Sequence, residues 1–371
     1  MTTNASWGEA YRGKRVLITG HTGFKGGWLS LWLAELGADV TGFALPPATE
    51  PNMFAEAAIA TTVRHVEGDI RDLAALRAAW RACRPDVVFH LAAQPIVRES
   101  YRNPVDTITT NVVGTTHVLE LARETGGPLA LVCITSDKCY ENVEWPYGYR
   151  EDDRLGGADI YSGSKAAAEV LIASYRRSFF GAADGPGVAS VRAGNVIGGG
   201  DWAADRLVPD CMRSLVAQRT IQVRNPKSVR PWQHVLEPLS GYLAVGARLQ
   251  QRDAEGLAAR SAWNFGPTIP NARSVGEVVD GIVRQWGAGA WEQPASDGGG
   301  HEATLLRLAI DRAQLQLGWS PRWDFDETMR RTVDWYREYY NGSDIRAFTR
   351  QQIAAYSVAP IGRTSSAATS A

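Results

Sequence analysis

Tyr161 and Lys165 stand four residues apart, and Thr135-Ser136-Asp137-Lys138 lies a short way upstream. On a helix the first two share a face. A lysine ammonium beside a phenol lowers a pKa that is otherwise ~10 and too high for a base at neutral pH. Such a pair suits removal of a proton from an alcohol while a bound dinucleotide takes the hydride. Ser136 is placed to hydrogen-bond the same oxygen. Asp137 and Lys138 form a second acid/base couple, which plain alcohol oxidation does not need. That surplus points to an elimination coupled to the oxidation. A Tyr-x-x-x-Lys spacing is common by chance and draws its force from the strand-end residues paired with it.

A dinucleotide needs its own cradle, and Gly20-His-Thr-Gly23-Phe-Lys-Gly26 supplies one between an apolar strand, Arg15–Thr19, and a helical pattern from Trp28 to Leu36. Glycines there permit a tight turn and close approach of backbone to a pyrophosphate at a helix N-terminus. Gly20, Thr22, Gly23, Phe24, Lys25 and Gly26 are therefore candidate cofactor contacts. Asp69 and Ile70 follow the third strand, where Asp69 either accepts from an adenine amino group or caps the next helix. Leu91, Ala92 and Ala93 end the fourth strand with the small residues needed beneath a cofactor, and Thr110 joins the same set. His90, on that apolar strand, reads as a core histidine. The end of the second strand, Gly42-Phe-Ala-Leu45, has neither the acidic residue that usually holds the adenosine ribose nor an arginine for a 2′-phosphate. This region alone does not separate NAD from NADP.

The elements that must position these groups alternate in βαβ rhythm. Strands are expected at 15–19, 39–43, 63–66, 86–90, 129–134 and 188–192, giving a doubly wound, Rossmann-type parallel α/β sheet over residues 1–193 to which some later segments return. A smaller C-terminal α/β lobe is expected over 194–354, discontinuous and substrate-binding, with helices near 236–249, 273–285 and 326–340. Gln94, Asn195, Arg206, Arg230 and His234 are the candidate substrate contacts, with Trp202 or Trp232 to stack on a base. Arginine suits a diphosphate because it binds in bidentate fashion. Residues 355–371 are small and polar and are expected to form a disordered tail.

Composition narrows the class. The 371 residues are 44% hydrophobic and 21% charged with a formal net charge of −1, which argues for a sizeable core and against a nucleic-acid partner. The first fifteen residues carry no signal-like apolar run, and no stretch approaches the ~20 apolar residues that span a bilayer. Cys83, Cys133, Cys139 and Cys211 show no metal or redox spacing, so no metal is expected, and a reduced, cytoplasmic setting is.

From Lys14 to Tyr340 the chain resembles the extended short-chain dehydrogenase/reductases that modify nucleotide sugars. The late Leu317-Gly-Trp-Ser-Pro321 and Thr332-Val-Asp-Trp-Tyr336 belong to that likeness. Four runs are most similar to the CDP-glucose branch of the 4,6-dehydratases: Gly20–Gly26, Thr135–Asn142, Arg192–Trp202 and Arg230–Pro238. Where dTDP-glucose dehydratases carry Thr-Asp-Glu, this chain has Ser136-Asp137-Lys138, so the resemblance implies Lys138 as the base in place of glutamate. It further implies tightly held NAD, a CDP-hexose substrate, a homodimer or homotetramer, and a place in dideoxysugar synthesis for bacterial surface polysaccharide. A dehydratase for a dTDP- or GDP-hexose, a 4-epimerase and a catalytically idle NAD-binding regulator are the alternatives.

Overall fold

In the computed structural model, residues 8–268, 273–294 and 305–360 are described. The central sheet has seven strands: β1 Arg15–Thr19, β2 Asp39–Ala44, β3 Arg64–Glu67, β4 Val87–His90, β5 Ala130–Ile134, β6 Gly187–Ala193 and β7 Ala262–Phe265. Their order is β7-β6-β5-β4-β1-β2-β3, and each neighbouring pair is parallel. The order reverses between β1 and β4, and a ligand crevice forms at that switch point. Both faces of the sheet are covered, so the strands read as unbroken apolar runs. Val16 and Ile18 of β1 face one core with Phe89 and Val132, while Leu17 faces the other with Val88 and Leu131.

The helices that matter here are α1 Phe24–Glu35, α2 Leu73–Cys83, α3 Gly114–Thr125, α4 Ile160–Phe179, α5 Leu207–Val216, α6 Leu236–Leu249, α7 Val275–Trp286, α8 Phe325–Tyr340 and α9 Ile345–Val358. Asp72, rather than Asp69, caps α2, accepting from the Ala74 and Ala75 amides. Beyond β6 the chain adds short two-stranded pairs, such as Val196–Ile197 with Gln233–His234.

Three expectations need correction. Trp263-Asn-Phe265, expected in the second lobe, lies in β7 and forms the outer strand of the central sheet, because its apolar side chains complete the core beside β6. α6, also placed in that lobe, packs on β5 and β6. The tail expected from residue 355 begins as the last turn of α9, which packs on α1 with Tyr356 edge-on to Trp32 at 5.7 Å. Residues 361–371 of that expectation lie outside the described residues.

Candidate active site

The turn after β1 is dictated by contact rather than by charge. Gly20 has φ +80°, and a Cβ there would stand 2.6 Å from the Ala92 amide nitrogen. At Gly26 a Cβ would meet the Gly20 carbonyl oxygen at 2.2 Å. The two glycines let α1 start close against the ends of β1 and β4, with Gly23 as its N-cap. Above this turn opens a cleft of about 1830 Å³. Typical small-molecule sites are roughly 300–1,000 Å³, so this one has room for two ligands side by side. Its lining includes Gly20, Thr22–Gly26, Asp69, Ile70, Leu91–Ala93 and Thr110, together with Ser136–Lys138, Tyr161, Lys165, Asn195, Arg206 and Arg230. The glycine cradle, the helix N-terminus and the volume of the cleft fit a dinucleotide.

Two expected site residues are elsewhere. Gln94 turns away from the cleft: its Nε2 donates to Thr107 Oγ1 at 2.8 Å and its Oε1 accepts from the Ile96 amide at 2.5 Å. His234 is fully buried between the rings of Trp28 and Trp323 and is absent from the lining, its backbone paired with Ile197. Trp202 is likewise a core residue, packed on Trp335, Tyr336 and Tyr339, whereas Trp232 lines the cleft. Asp69 lines the cleft, but its carboxylate is engaged by Arg71, which holds it below the usual carboxylate range. His90 is the expected core histidine, bonded to Thr19 and Thr115.

The chemistry is concentrated where β5 ends. Ser136 caps a 3-10 turn, Asp137–Cys139, accepting from the Lys138 amide at 3.2 Å and donating to Asp137 Oδ1 at 3.0 Å. Asp137 Oδ2 is buried without a hydrogen-bond partner. Asp159 caps α4 through the Ser162 amide, which sets Tyr161 and Lys165 on the first turns of that helix. Burial pushes Tyr161 up to about 12, with the Asp137 charge acting the same way. A hydrogen bond with Ser136 and the Arg206 charge act in the opposite direction. The lowering expected from Lys165 is not found: Ser136 and Arg206 act downward, but burial outweighs them and the phenol stands above its ordinary value. Burial lowers Lys165 to about 8 against the opposing charge of Glu169. Arg206, expected on a diphosphate, is held by Asp201 at 2.7 Å.

Sequence reasoning missed Glu169 and Gly194. Tyr161, Lys165 and Glu169 repeat at every fourth position of α4, a spacing that was visible. Gly194 had no signal of its own, because its neighbour Asp137 is distant in the chain.

A seven-stranded parallel sheet with a glycine cradle after β1 and Tyr161, Lys165 and Ser136 over its switch point defines an extended short-chain dehydrogenase/reductase. The chain belongs to the GDP-mannose 4,6-dehydratase family, whose profile matches residues 17–332. It is 48% identical over 350 residues to the CDP-glucose 4,6-dehydratase of Salmonella typhimurium, covering 93% of this chain and 97% of that one. It is 31% identical over 283 residues to the dTDP-glucose 4,6-dehydratase of Streptomyces antibioticus, covering 74% and 77%. Among solved structures it resembles the Streptomyces venezuelae dTDP-glucose 4,6-dehydratase solved with NAD, with a TM-score of 0.74, 24% identity and coverage of 90% and 99%. It also resembles the Thermotoga maritima UDP-glucose 4-epimerase, with a TM-score of 0.74, 20% identity and coverage of 88% and 99%. At those identities the structural likeness establishes the fold.

Proposed function

We propose that this chain is an NAD-dependent hydro-lyase, a CDP-glucose 4,6-dehydratase, which converts CDP-D-glucose to CDP-4-dehydro-6-deoxy-D-glucose and water. The observation that carries the reading is that Asp137 and Lys138 line the same cleft as Tyr161 and Lys165. Oxidation alone, or epimerisation, needs only the latter pair. The choice of CDP-glucose draws on the 48% identity to the Salmonella enzyme.

NAD held by the Gly20–Gly26 cradle would supply the acceptor for hydride from sugar carbon 4 and the donor of that hydride to carbon 6, so the net redox change is zero. Tyr161 takes the proton of the carbon-4 hydroxyl, with Ser136 hydrogen-bonded to the same oxygen and Lys165 as the local cation. The resulting ketone acidifies the hydrogen on carbon 5. Lys138 removes that proton, and Asp137 gives one to the departing carbon-6 hydroxyl. Lys138 then returns a proton to carbon 5, and the proton held by Tyr161 passes to Asp137 by way of the Ser136 hydroxyl, which restores both groups. The second lobe covers the cleft and keeps water from the intermediates.

The setting is cytoplasmic and the assembly a homodimer or homotetramer in our reading. No helix among the described residues is long and apolar enough to cross a membrane. Val105 and Ile108, on a short helix that packs on α4, and Ile160 and Val170 of α4 itself are exposed apolar side chains suited to a partner copy.

A substrate panel tests the reading. Purified protein is given CDP-, dTDP-, UDP- and GDP-hexoses, and loss of one water is followed by mass. Product from CDP-glucose alone supports it. Product from another nucleotide keeps the mechanism and moves the specificity, while a carbon-4 epimer without water loss overturns both.

A further inference from the structure

Asp137 and Lys138 sit on a single short turn, and such a turn does not hold its own side chains to the tolerance that proton transfer needs. The residues on its two sides, Thr135 and Tyr140, are both tied to one buried ion pair. Glu169 and Arg192 are 1% and 3% exposed and meet at 2.7 Å. Glu169 accepts from Thr135 Oγ1 at 2.5 Å and from Ser190 Oγ at 2.8 Å. Arg192 donates to the Tyr140 hydroxyl at 2.6 Å and to the Glu151 carbonyl at 2.8 Å. Tyr140 in turn donates to Asn264 Oδ1 at 2.8 Å. Asn264 stands directly opposite Arg192 in the β6–β7 register.

A buried ion pair is a poor device for stability alone, because desolvation offsets most of its attraction. Two of its links reach the two sides of the turn, Thr135 at the strand end and Tyr140 where the turn closes, and the others anchor the pair to Ser190 and the Glu151 carbonyl. Tyr161 and Lys165 have no such need, since they ride on α4 behind its Asp159 cap. We propose that the Glu169–Arg192 pair is a positioning clamp for the elimination half of the reaction, holding the turn that carries Asp137 and Lys138 by Thr135 on one side and Tyr140 on the other. The proposal rests on the dehydratase reading. Glu169 and Arg192 act through the turn and are positioning residues, not catalytic ones.

The test cuts the two ties and leaves the charges paired, so no uncompensated ion is buried. Thr135→Val removes the link to Glu169, and Tyr140→Phe removes the link to Arg192. Thr135→Ser keeps the hydroxyl and serves as the conservative control. The full chain with NAD is mixed rapidly with CDP-glucose. Cofactor reduction is followed by absorbance and water loss by mass. Ser136 caps the same turn, so cofactor reduction should slow somewhat in both cutting variants, but water loss should slow about tenfold more than reduction does, so reduced cofactor accumulates. Thr135→Ser should behave as wild type. Equal slowing of both steps, or no slowing of either, overturns the clamp. Failure of the wild-type protein to release water would instead remove the dehydratase reading, so the two failures are distinguishable.

Discussion

Asp137 occupies the space that a side chain on Gly194 would fill: a Cβ at residue 194 would lie 1.8 Å from Asp137 Oδ2 and 2.4 Å from its Cγ. Asp137 is 2% exposed and lies in the turn that Ser136 caps. Gly194 is therefore part of the seat of the proposed acid, although it carries no chemistry itself.

Gly194→Ala should accordingly displace Asp137 without touching the glycine cradle. We expect kcat to fall about 100-fold, because a misplacement of roughly 1 Å at a reacting group costs on that order. NAD affinity should change little. Single-turnover kinetics and a cofactor titration check this, and an alanine variant with wild-type kcat would refute the steric account.

Cofactor affinity should depend on pH on the alkaline side. Burial lowers both Lys25 and Lys165 to about 8, so both ammonium groups are charged below that pH and lose their protons as it rises. A dinucleotide diphosphate is anionic and binds the charged forms better. The dissociation constant for NAD, titrated at pH 7 and at pH 9.5, should increase on going to the higher value. An unchanged constant would mean that neither lysine faces the cofactor's charge.

His90 should make the fold acid-labile. Thr115 Oγ1 donates to the Asn111 carbonyl, so it must accept from His90 Nε2–H. His90 Nδ1 is then left to accept from Thr19, whose hydroxyl oxygen already accepts from the Ala92 amide. A second proton on the ring would turn the Thr19 hydroxyl from donor to acceptor and take away the partner of its own hydrogen, and burial pushes the group down to about 3. The native state thus binds fewer protons than the unfolded chain between that value and ~6.5, and stability falls as pH drops through this window, by several kcal/mol when complete. His21 and His234, lowered to about 4 and about 3, act with the same sign. Glu237, raised to about 7 by burial, opposes them over a narrower range. Urea midpoints measured from pH 7.5 down to 4.5 should decrease, and a flat series would contradict the assignment.

The C-terminal helix should be indispensable. Tyr356 donates to Glu237 Oε2 at 2.6 Å, and its ring packs on Trp32 and Trp323. Tyr356→Phe leaves one donor fewer on a buried carboxyl and should cost about 1–3 kcal/mol in denaturant unfolding. Tyr356→Ala also removes the ring and should cost ~3–5 kcal/mol. Equal effects of the two substitutions would show that the ring contacts contribute nothing.

Local rules carried much of this far. Apolar runs, a glycine-rich turn and a four-residue spacing are short-range patterns, and β1 to β6, the cradle, Tyr161, Lys165 and Ser136-Asp137-Lys138 were all legible from them. What depended on tertiary structure involved residues far apart in the chain. The strand at Ala262–Phe265 is too short and too rich in flanking Gly and Pro to declare itself, and it becomes a strand because β6 offers an unpaired edge. His234 and Gln94 have side chains that suit a substrate, yet packing against Trp28 and Trp323, and hydrogen bonds to Thr107 and Ile96, turn them inward. The Glu169–Arg192 pair joins α4 to β6, and Gly194 matters only because Asp137 folds back against it. Sequence by itself determined which chemical groups are available and the period of the elements that carry them. Which of those groups share one cleft was decided by packing, because burial and hydrogen-bond satisfaction are settled only when distant segments meet.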